Sequence, residues 1–228
     1  MAKVKTVILV HGAWADGSSW ATVISLLLDA GLTPIAVQMP LSRFEDDVAT
    51  LRRAIALAEP PIVLAGHSYG GAVITEAGTH ENVCALVYIA AFAPGADESA
   101  ESLGQNFPPP PMAAELRPDA EGFLKLTQVG VRENFAQDLT ATEKDVLCAT
   151  QAPTAAAALG GTISQPAWLK KPAWYLVATH DRAIQPELQR MMAKRINAVT
   201  TEIDSSHVAM LSHPAVTAKL ILQAITES

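Results

Sequence analysis

The sequence is poor in cysteine, in charged residues and in basic clusters. Only two cysteines, Cys84 and Cys148, occur among its 228 residues, and they lie far apart in the chain. Without a paired-cysteine motif, neither a disulfide framework nor a cysteine zinc site is indicated. Charged residues make up 17% of the chain, and the formal net charge is −7. Because no lysine or arginine run forms a basic patch, we expect no nucleic-acid partner.

Long apolar runs and metal-ligand spacings are also lacking. No run approaches the ~20 residues of a membrane-spanning helix, and the apolar run within MAKVKTVILVHG is too short for a signal peptide. None of the six histidines stands in an HExxH or HxH motif, so no zinc site is indicated. We therefore expect a cytoplasmic protein that binds no metal and no membrane.

Short apolar runs alternate with helical patterns along most of the chain. Half of the residues are hydrophobic, which is enough for one domain with a sizeable core. One helical stripe runs through Trp20, Val23 and Leu27, with Ser18 and Ser19 available as N-caps. The apolar runs resemble strands covered on both faces, and they are 6–10, 34–38, 61–66, 84–92, 173–179 and 200–204. This alternation predicts an α/β fold with a doubly wound, mostly parallel six-stranded sheet and helices on both faces.

Residues 95–171, called the inserted segment below, interrupt this alternation. They contain PPPP at 108–111, a helical piece at 142–150 and the Ala-rich stretch 154–161, but no convincing strand. A structureless loop of this length is uncommon inside a compact domain. We therefore predict a small helical cap over 95–171, inserted into a core formed by 1–94 and 172–228.

The stretch LAGHSYGG places Ser68 between an apolar run and a helix-forming AVITEAG. This is the strand–turn–helix context of a nucleophile elbow, in which a sharp turn exposes the serine hydroxyl. The glycines of the elbow (residues 66–71) leave room for such a turn, and the following helix N-terminus favours negative charge. A nucleotide-binding loop is disfavoured, because GHSYGG matches neither GxGxxG nor the GKS or GKT of a phosphate loop. His67 is expected to pack and to hydrogen-bond within the elbow.

A serine nucleophile needs a base and a group that orients the base. His207 follows the last apolar run and Asp181 follows the fifth, so both are expected at the carboxyl end of the sheet, where open parallel sheets place their sites. The chain order Ser68, Asp181, His207 is that of one hydrolase architecture. Asp204, three residues before His207, is the alternative acid.

The stretch HGAWADGSSW after the first apolar run is a candidate oxyanion loop. The tight turn at His11 and Gly12 would point the amide of Ala13 at a developing negative charge. The amide of Tyr69, directly after the nucleophile, would be the second donor. Trp14 and Met210 are candidates for the wall of a substrate pocket, although core packing is the alternative for both.

Together, HGAW, GHSYGG, THDRAIQPELQ and SSHVAMLSHP resemble the α/β-hydrolase superfamily, and in particular compact bacterial esterase-like members related to plant methylesterases and hydroxynitrile lyases. The resemblance covers nearly the whole chain but is weak across the inserted segment. It implies a catalytic Ser68, Asp181 and His207, with oxyanion amides at Ala13 and Tyr69. It also implies helices that cover the active site, and neither a metal nor an organic cofactor.

The function we predict is a serine hydrolase that cleaves a small, largely apolar carboxylic ester through an acyl-enzyme. The expected partner is the small-molecule ester, and a homodimer is left open. Three alternatives use the same fold: a hydroxynitrile lyase, a cofactor-independent perhydrolase and a non-enzymatic ligand receptor. The resemblance to plant lyases implies a Thr in place of Gly12 and a Lys in place of Val208, so this chain departs from the lyase pattern at both positions.

Overall fold

A computed structural model describes residues 4–105 and 107–228. Six parallel strands form the main sheet, in the order β2-β1-β3-β4-β8-β9. Within the described ranges the strands are, in chain order, Thr6–Val10 (β1), Thr33–Ala36 (β2), Ile62–His67 (β3), Val83–Ile89 (β4), Leu116–Pro118 (β5), Phe123–Leu126 (β6), Thr154–Ala155 (β7), Ala173–Ala178 (β8) and Val199–Ile203 (β9). The predicted α/β fold with a six-stranded parallel sheet is confirmed.

Burial of the strands follows their apolar composition. Every residue of β1, β3 and β8 is buried, as expected for strands covered on both faces. The edge strands β2 and β9 are partly exposed, and β9 carries threonine and glutamate. The polar β9 is therefore an edge that other chains would pair with poorly.

Helices flank the sheet on both sides. In the described ranges they are Ala21–Asp29 (α1), Phe44–Leu57 (α2), Gly70–Ala77 (α3), Ala100–Gly104 (α4), Ala141–Thr150 (α5), Ala156–Leu159 (α6), Pro186–Arg195 (α7), Ala209–Ser212 (α8) and Pro214–Glu227 (α9). α9 packs on β3, β4 and β8, while α3 packs on β1, β3 and β4. None of the helices in the described part of the chain is long and apolar enough to cross a membrane.

The start of α1 differs from the sequence-based expectation. A 3-10 turn at Gly17–Trp20 precedes the helix, and its N-cap is Asp16, whose Oδ1 accepts the Ser18 amide at 2.7 Å. Ser18 and Ser19 therefore lie inside the turn instead of capping it. Trp20, Val23 and Leu27 are fully buried, as the helical stripe predicted.

The inserted segment contains strands, contrary to our expectation. β5, β6 and β7 form a small antiparallel sheet, in which Leu124 lies opposite Thr154. Helical pieces surround this sheet: α4, α5 and α6, 3-10 turns at Pro111–Glu115 and Ala167–Leu169, and a π-helical turn at Gly130–Phe135. Strands of two to four residues are too short to show a clear alternation, which is why the sequence did not indicate them.

The loops that follow β1 and β3 meet because these strands are neighbours, with Val10 opposite Gly66. The turn after β3 packs so closely on β1 that a Cβ on Gly70 would lie 2.5 Å from the carbonyl oxygen of Val10 and 2.6 Å from that of His11. Both are backbone atoms, so neither can move aside as a flexible side chain could. Gly70 is therefore required for the contact between the two loops.

We expect Gly70→Ala to destabilise the protein by about 1–3 kcal/mol, the usual cost of overpacking. For a chain of this size this lowers Tm by roughly 2–12 °C in scanning calorimetry. Gly104→Ala is the matched control, because a Cβ there has no described neighbour within 4 Å. Equal Tm values for the two variants would show that the loops do not pack as described.

Candidate active site

Ser68 lies in a strained turn between β3 and α3. Its φ is +52°, in the left-handed region that side chains rarely adopt, and such strain is typical of functional positions. The Ser68 carbonyl accepts the amides of Gly71 at 3.0 Å and Phe92 at 3.1 Å, while its own amide donates to Ile89 at 3.3 Å. These bonds hold the strained residue, which lines a cavity at this end of the sheet.

His207 and Asp181 are joined by a hydrogen bond inside the protein. His207 Nδ1 lies 2.6 Å from Asp181 Oδ2, and both side chains are almost completely buried. Because an ionised carboxylate only accepts hydrogen bonds, the proton belongs on Nδ1. Nε2 is then free to accept a proton, and the imidazole borders the same cavity as Ser68.

Three further groups fix Asp181. Its Oδ1 accepts the amides of Ala183 at 2.7 Å and Ile184 at 2.9 Å, and its Oδ2 accepts Gln189 Nε2 at 2.7 Å. Gln189 is fully buried, and its amide group also bonds Ala178 and Ile184. The sequence analysis missed Gln189. The only signal for it is a polar residue beside Leu188 on a helix that follows Asp181.

The loop after β1 lies directly against the elbow. A Cβ on Gly12 would lie 2.7 Å from Ser68 Cβ and 2.9 Å from His67 Nδ1. His11 shapes this loop, since its Nε2 accepts the Met39 amide at 3.0 Å and its Nδ1 donates to the Gly12 carbonyl at 2.9 Å. Burial lowers the pKa of His11, in keeping with the neutral tautomer that this pattern requires. Ala13, the residue that follows, lines the cavity.

Tyr69 is anchored by a buried carboxylate that the sequence analysis did not identify. The Tyr69 hydroxyl donates to Asp47 Oδ2 at 2.7 Å, and Asp47 Oδ1 accepts the Leu41 amide at 2.8 Å. Burial raises the pKa of Asp47, although the hydrogen bonds from Tyr69 and Leu41 oppose the rise. Burial and the Asp47 carboxylate together raise the pKa of Tyr69. The phenol therefore remains a donor.

His67 links the elbow to the His207 loop, and its hydrogen bond does not lie within the elbow as expected. Its Nε2 donates to the His207 carbonyl at 2.9 Å, and the two rings lie 4.7 Å apart. Burial, then the nearby His207, lower the pKa of His67 well below its usual range. Because no described residue bonds its Nδ1, protonation there would bury an unpaired charge.

The cavity has a volume of about 340 Å³, near the lower end of the range for small-molecule sites. Glu101 and His207 are the only acidic or basic side chains in the part of its wall that the structure describes. The inserted segment contributes a largely apolar surface, which includes Phe107, Pro108, Pro110, Met112, Leu116, Leu124 and Leu159.

Of the two predicted pocket residues, the structure brings only Trp14 to the cavity. Trp14 lines it and packs edge-on against Phe135 at 6.3 Å. Met210 lies on α8, is 1% exposed and belongs to the hydrophobic core instead of the cavity wall. Its position three residues after His207 made it a candidate, but its side chain packs in the core.

Asp204, the alternative acid, is exposed at the surface. It pairs with His180 and accepts the Thr179 hydroxyl at 3.0 Å. These two partners lower the pKa of Asp204. The carboxylate that bonds His207 is therefore that of Asp181, not that of Asp204. Within residues 4–105 and 107–228, no cluster of three or more His, Cys, Asp or Glu side chains could hold a metal ion.

A family model described as the alpha/beta hydrolase family matches residues 7–220. The chain belongs to this family. The match covers both the elbow and the His207 loop, and the resemblance inferred from the four motifs is confirmed.

This α/β hydrolase has curated relatives of similar length. It is 26% identical to the alpha/beta hydrolase nvfD of Aspergillus novofumigatus, over 97% of each chain. It is 32% identical to a carbendazim hydrolyzing esterase of Nocardioides, over 48% of this chain and 51% of that protein.

Solved structures share its fold over nearly the full length. A pyrethroid hydrolase from Sphingobium faniae superposes with a TM-score of 0.85 at 23% identity, covering 98% of both chains. Polyneuridine aldehyde esterase superposes with a TM-score of 0.83 at 20% identity, covering 97% of this chain and 99% of that one.

The buried neutral histidines make the stability of this α/β hydrolase sensitive to acid. His11 and His67 have lowered pKa values in the folded state, whereas an unfolded chain protonates histidine near pH 6.5. Below about pH 6.5 the unfolded state therefore binds protons that the folded state does not, so we expect stability to fall as the pH falls. Each histidine contributes a slope of at most about 1.4 kcal/mol per pH unit. Urea denaturation at several pH values between about 8 and 5 measures the slope.

The control for this prediction is His67→Gln, which keeps a side-chain N–H donor but removes one titrating group. We expect its slope between about pH 6.5 and 5 to be shallower than that of the wild type. Carboxylates whose pKa is lowered, such as Glu202, act at still lower pH. Identical slopes for the two proteins would show that His67 is not the group excluded from protonation.

Proposed function

We propose that this α/β hydrolase is a serine carboxylesterase that cleaves a small, largely apolar carboxylic ester. The observation that carries the proposal is the His207–Asp181 hydrogen bond of 2.6 Å, at the wall of the cavity that also holds Ser68. Fold alone would not support it, because this architecture hosts many chemistries. The arrangement of a strained serine, an oriented imidazole and a fixed carboxylate is what a serine hydrolase needs.

In the proposed acylation step, His207 Nε2 takes the proton from Ser68 Oγ as the oxygen attacks the ester carbonyl carbon. Asp181 holds the imidazole in the required tautomer and stabilises the imidazolium. When the tetrahedral intermediate collapses, the carbon–oxygen bond to the alcohol breaks and His207 returns its proton to the leaving alcohol. The acyl group remains on Ser68.

Deacylation repeats these steps with water. His207 takes a proton from a water molecule, whose oxygen attacks the acyl carbon. The bond to Ser68 Oγ then breaks, and His207 returns the proton to the serine. The products are one carboxylic acid and one alcohol for each ester and water consumed. In both steps we assign the oxyanion to the backbone amides of Ala13 and Tyr69, and losing one such donor costs about 10²–10³ in rate in other hydrolases.

The cavity supports an apolar acyl or alcohol group. Its wall is formed mostly by Pro, Leu, Ala, Met and aromatic side chains, so burial of an aliphatic or aromatic group would be favourable. One curated relative is named a hydrolase and another an esterase, which agrees with ester cleavage. The perhydrolase and receptor alternatives would use the same residues, and no observation favours either.

The lyase alternative is disfavoured by two positions. A side chain at position 12 would contact Ser68 Cβ, since even a Cβ lies 2.7 Å from it. Val208 is 1% exposed and apolar, so it offers no positive charge to a departing cyanide. The loop thus leaves the oxyanion to backbone amides, as an esterase requires.

The test of the function combines labelling and turnover. We expect a fluorophosphonate probe to label Ser68 alone, because this serine is the activated one, with the modified residue identified by peptide mass spectrometry. We also expect ready hydrolysis of 4-nitrophenyl acetate and butyrate, measured across a panel of acyl chain lengths, with Ser68→Ala as the blank.

Two outcomes would contradict the proposal. Labelling that survives Ser68→Ala would show that another residue is the nucleophile. Rapid cleavage of mandelonitrile, with no activity across the ester panel, would make the protein a lyase even if Ser68 were labelled.

A separate prediction concerns the acid of the triad. In Asp181→Asn the amide group would face His207 Nδ1 and stabilise the wrong tautomer, so we expect kcat to fall by about 10⁴-fold, as in other triads. Asp204→Asn is the matched control and should keep kcat within a fewfold, because Asp204 is exposed and pairs with His180. Steady-state ester hydrolysis measures both, and a larger loss in Asp204→Asn would move the acid to the last strand.

A further inference from the structure

Trp14, in the loop after β1, makes two hydrogen bonds to the small sheet of the inserted segment. Its backbone amide donates to Thr154 Oγ1 at 3.1 Å, and its indole Nε1 donates to the Leu124 carbonyl at 2.9 Å. Leu124 and Thr154 lie opposite each other in β6 and β7. One residue beside the proposed oxyanion site is therefore attached to a single residue pair of the inserted sheet.

The next residue of β7 is connected to the nucleophile elbow through Leu41 and Asp47. The Ala155 amide donates to the Leu41 carbonyl at 2.9 Å. The Leu41 amide in turn donates to Asp47, which accepts the Tyr69 hydroxyl. Both sides of the proposed oxyanion hole, Ala13–Trp14 and Tyr69, are thus connected to the two residues of β7.

Both residues that bond to β7 have a strained backbone and need such an anchor. Trp14 has φ = +59° and Leu41 has φ = +55°, a conformation that persists in a non-glycine residue only where surrounding contacts enforce it. Thr154 is 0% exposed, so water cannot replace its hydroxyl as the acceptor for the Trp14 amide. Removing that hydroxyl would leave a buried N–H without its acceptor.

We propose that Thr154 is a positioning residue for the oxyanion hole. Its hydroxyl fixes the peptide plane that joins Ala13 to Trp14, and thereby the orientation of the Ala13 amide that precedes this plane. The inserted segment then does more than cover the cavity, because seating β7 sets the geometry of a catalytic amide. This inference rests on the proposed function, in which Ala13 binds the oxyanion.

The test compares Thr154→Val, which removes the hydroxyl at nearly constant volume, with Thr154→Ser, which keeps it. With 4-nitrophenyl butyrate we expect kcat of T154V to fall about 10- to 100-fold, somewhat less than for a lost oxyanion donor, while KM changes by no more than about twofold. T154S should recover most of kcat. Thr162→Val is the control, since Thr162 is an exposed threonine of the same segment.

A second readout separates oxyanion geometry from a merely loosened cavity. A trifluoromethyl ketone forms a tetrahedral adduct with an active-site serine and places an oxyanion where the Ala13 amide would bind it. We expect its inhibition constant to rise in T154V in proportion to the loss of kcat, whereas binding of the leaving alcohol, which has no acyl oxygen for the Ala13 amide, should be unchanged. A raised KM with unchanged kcat, or unchanged inhibition by the ketone, would overturn the proposal.

Two controls distinguish a failure of the Thr154 proposal from a folding defect and from a failure of the proposed function. Calorimetry shows whether T154V is folded at the assay temperature; if it is not, Thr154→Cys, with a weak acceptor of similar size, should show the same pattern with smaller amplitude. Labelling of Ser68 in the wild type tests the proposed function without involving Thr154. If Ser68 is labelled and esters are hydrolysed, but both T154V and T154C retain full kcat, only the role of Thr154 fails.

Discussion

The pairing of β1 with β3 is the constraint on which the site depends. Val10 lies opposite Gly66, so β1 and β3 end side by side. The turns that follow these two strands must therefore pack against each other. Gly12 and Gly70 make this possible, because a Cβ on either would meet Ser68 or the backbone of β1. Ala13, directly after Gly12, and Tyr69, directly after Ser68, both line the cavity that Ser68 borders. In the proposed mechanism, this approach brings amides from two different loops to the oxyanion.

Around this contact the protein controls charge by burial. Asp181 is buried, and four hydrogen-bond donors, counting His207 Nδ1, compensate its carboxyl group for the loss of water. His11 and His67 are buried and have no carboxylate partner among the described residues, and burial lowers the pKa of both. His207 is therefore the imidazole with a carboxylate placed to stabilise its protonated form. In the proposed mechanism, this difference favours His207 over His11 and His67 as the base.

The parts of the structure that local patterns determine were predictable from the sequence. Buried parallel strands are continuous apolar runs, and Ser68, Asp181 and His207 each follow such a run closely in the sequence. The supporting residues were not predictable. Gln189 and Asp47 act through contacts that only the folded chain creates, and a lone glutamine or aspartate in a helix carries no pattern of its own. Met210 was predicted from a local pattern, its proximity in sequence to His207, but it lies in the core and does not line the cavity.

The inserted segment was the hardest part to predict, because it too depends on contacts that only the folded chain creates. Its sheet consists of strands of two to four residues, whose stability comes from partners far away in the chain. Thr154 and Trp14 are 140 residues apart, yet the Thr154 hydroxyl is the hydrogen-bond acceptor for the buried Trp14 amide in the loop after β1. A strand as short as β7 has almost no propensity of its own and is held by the core on which it lies. The dependence is mutual, because the left-handed residues Trp14 and Leu41 each bond to β7. The inserted segment, which forms much of the cavity wall, is therefore tied at two adjacent residues to the loops that follow β1 and β2.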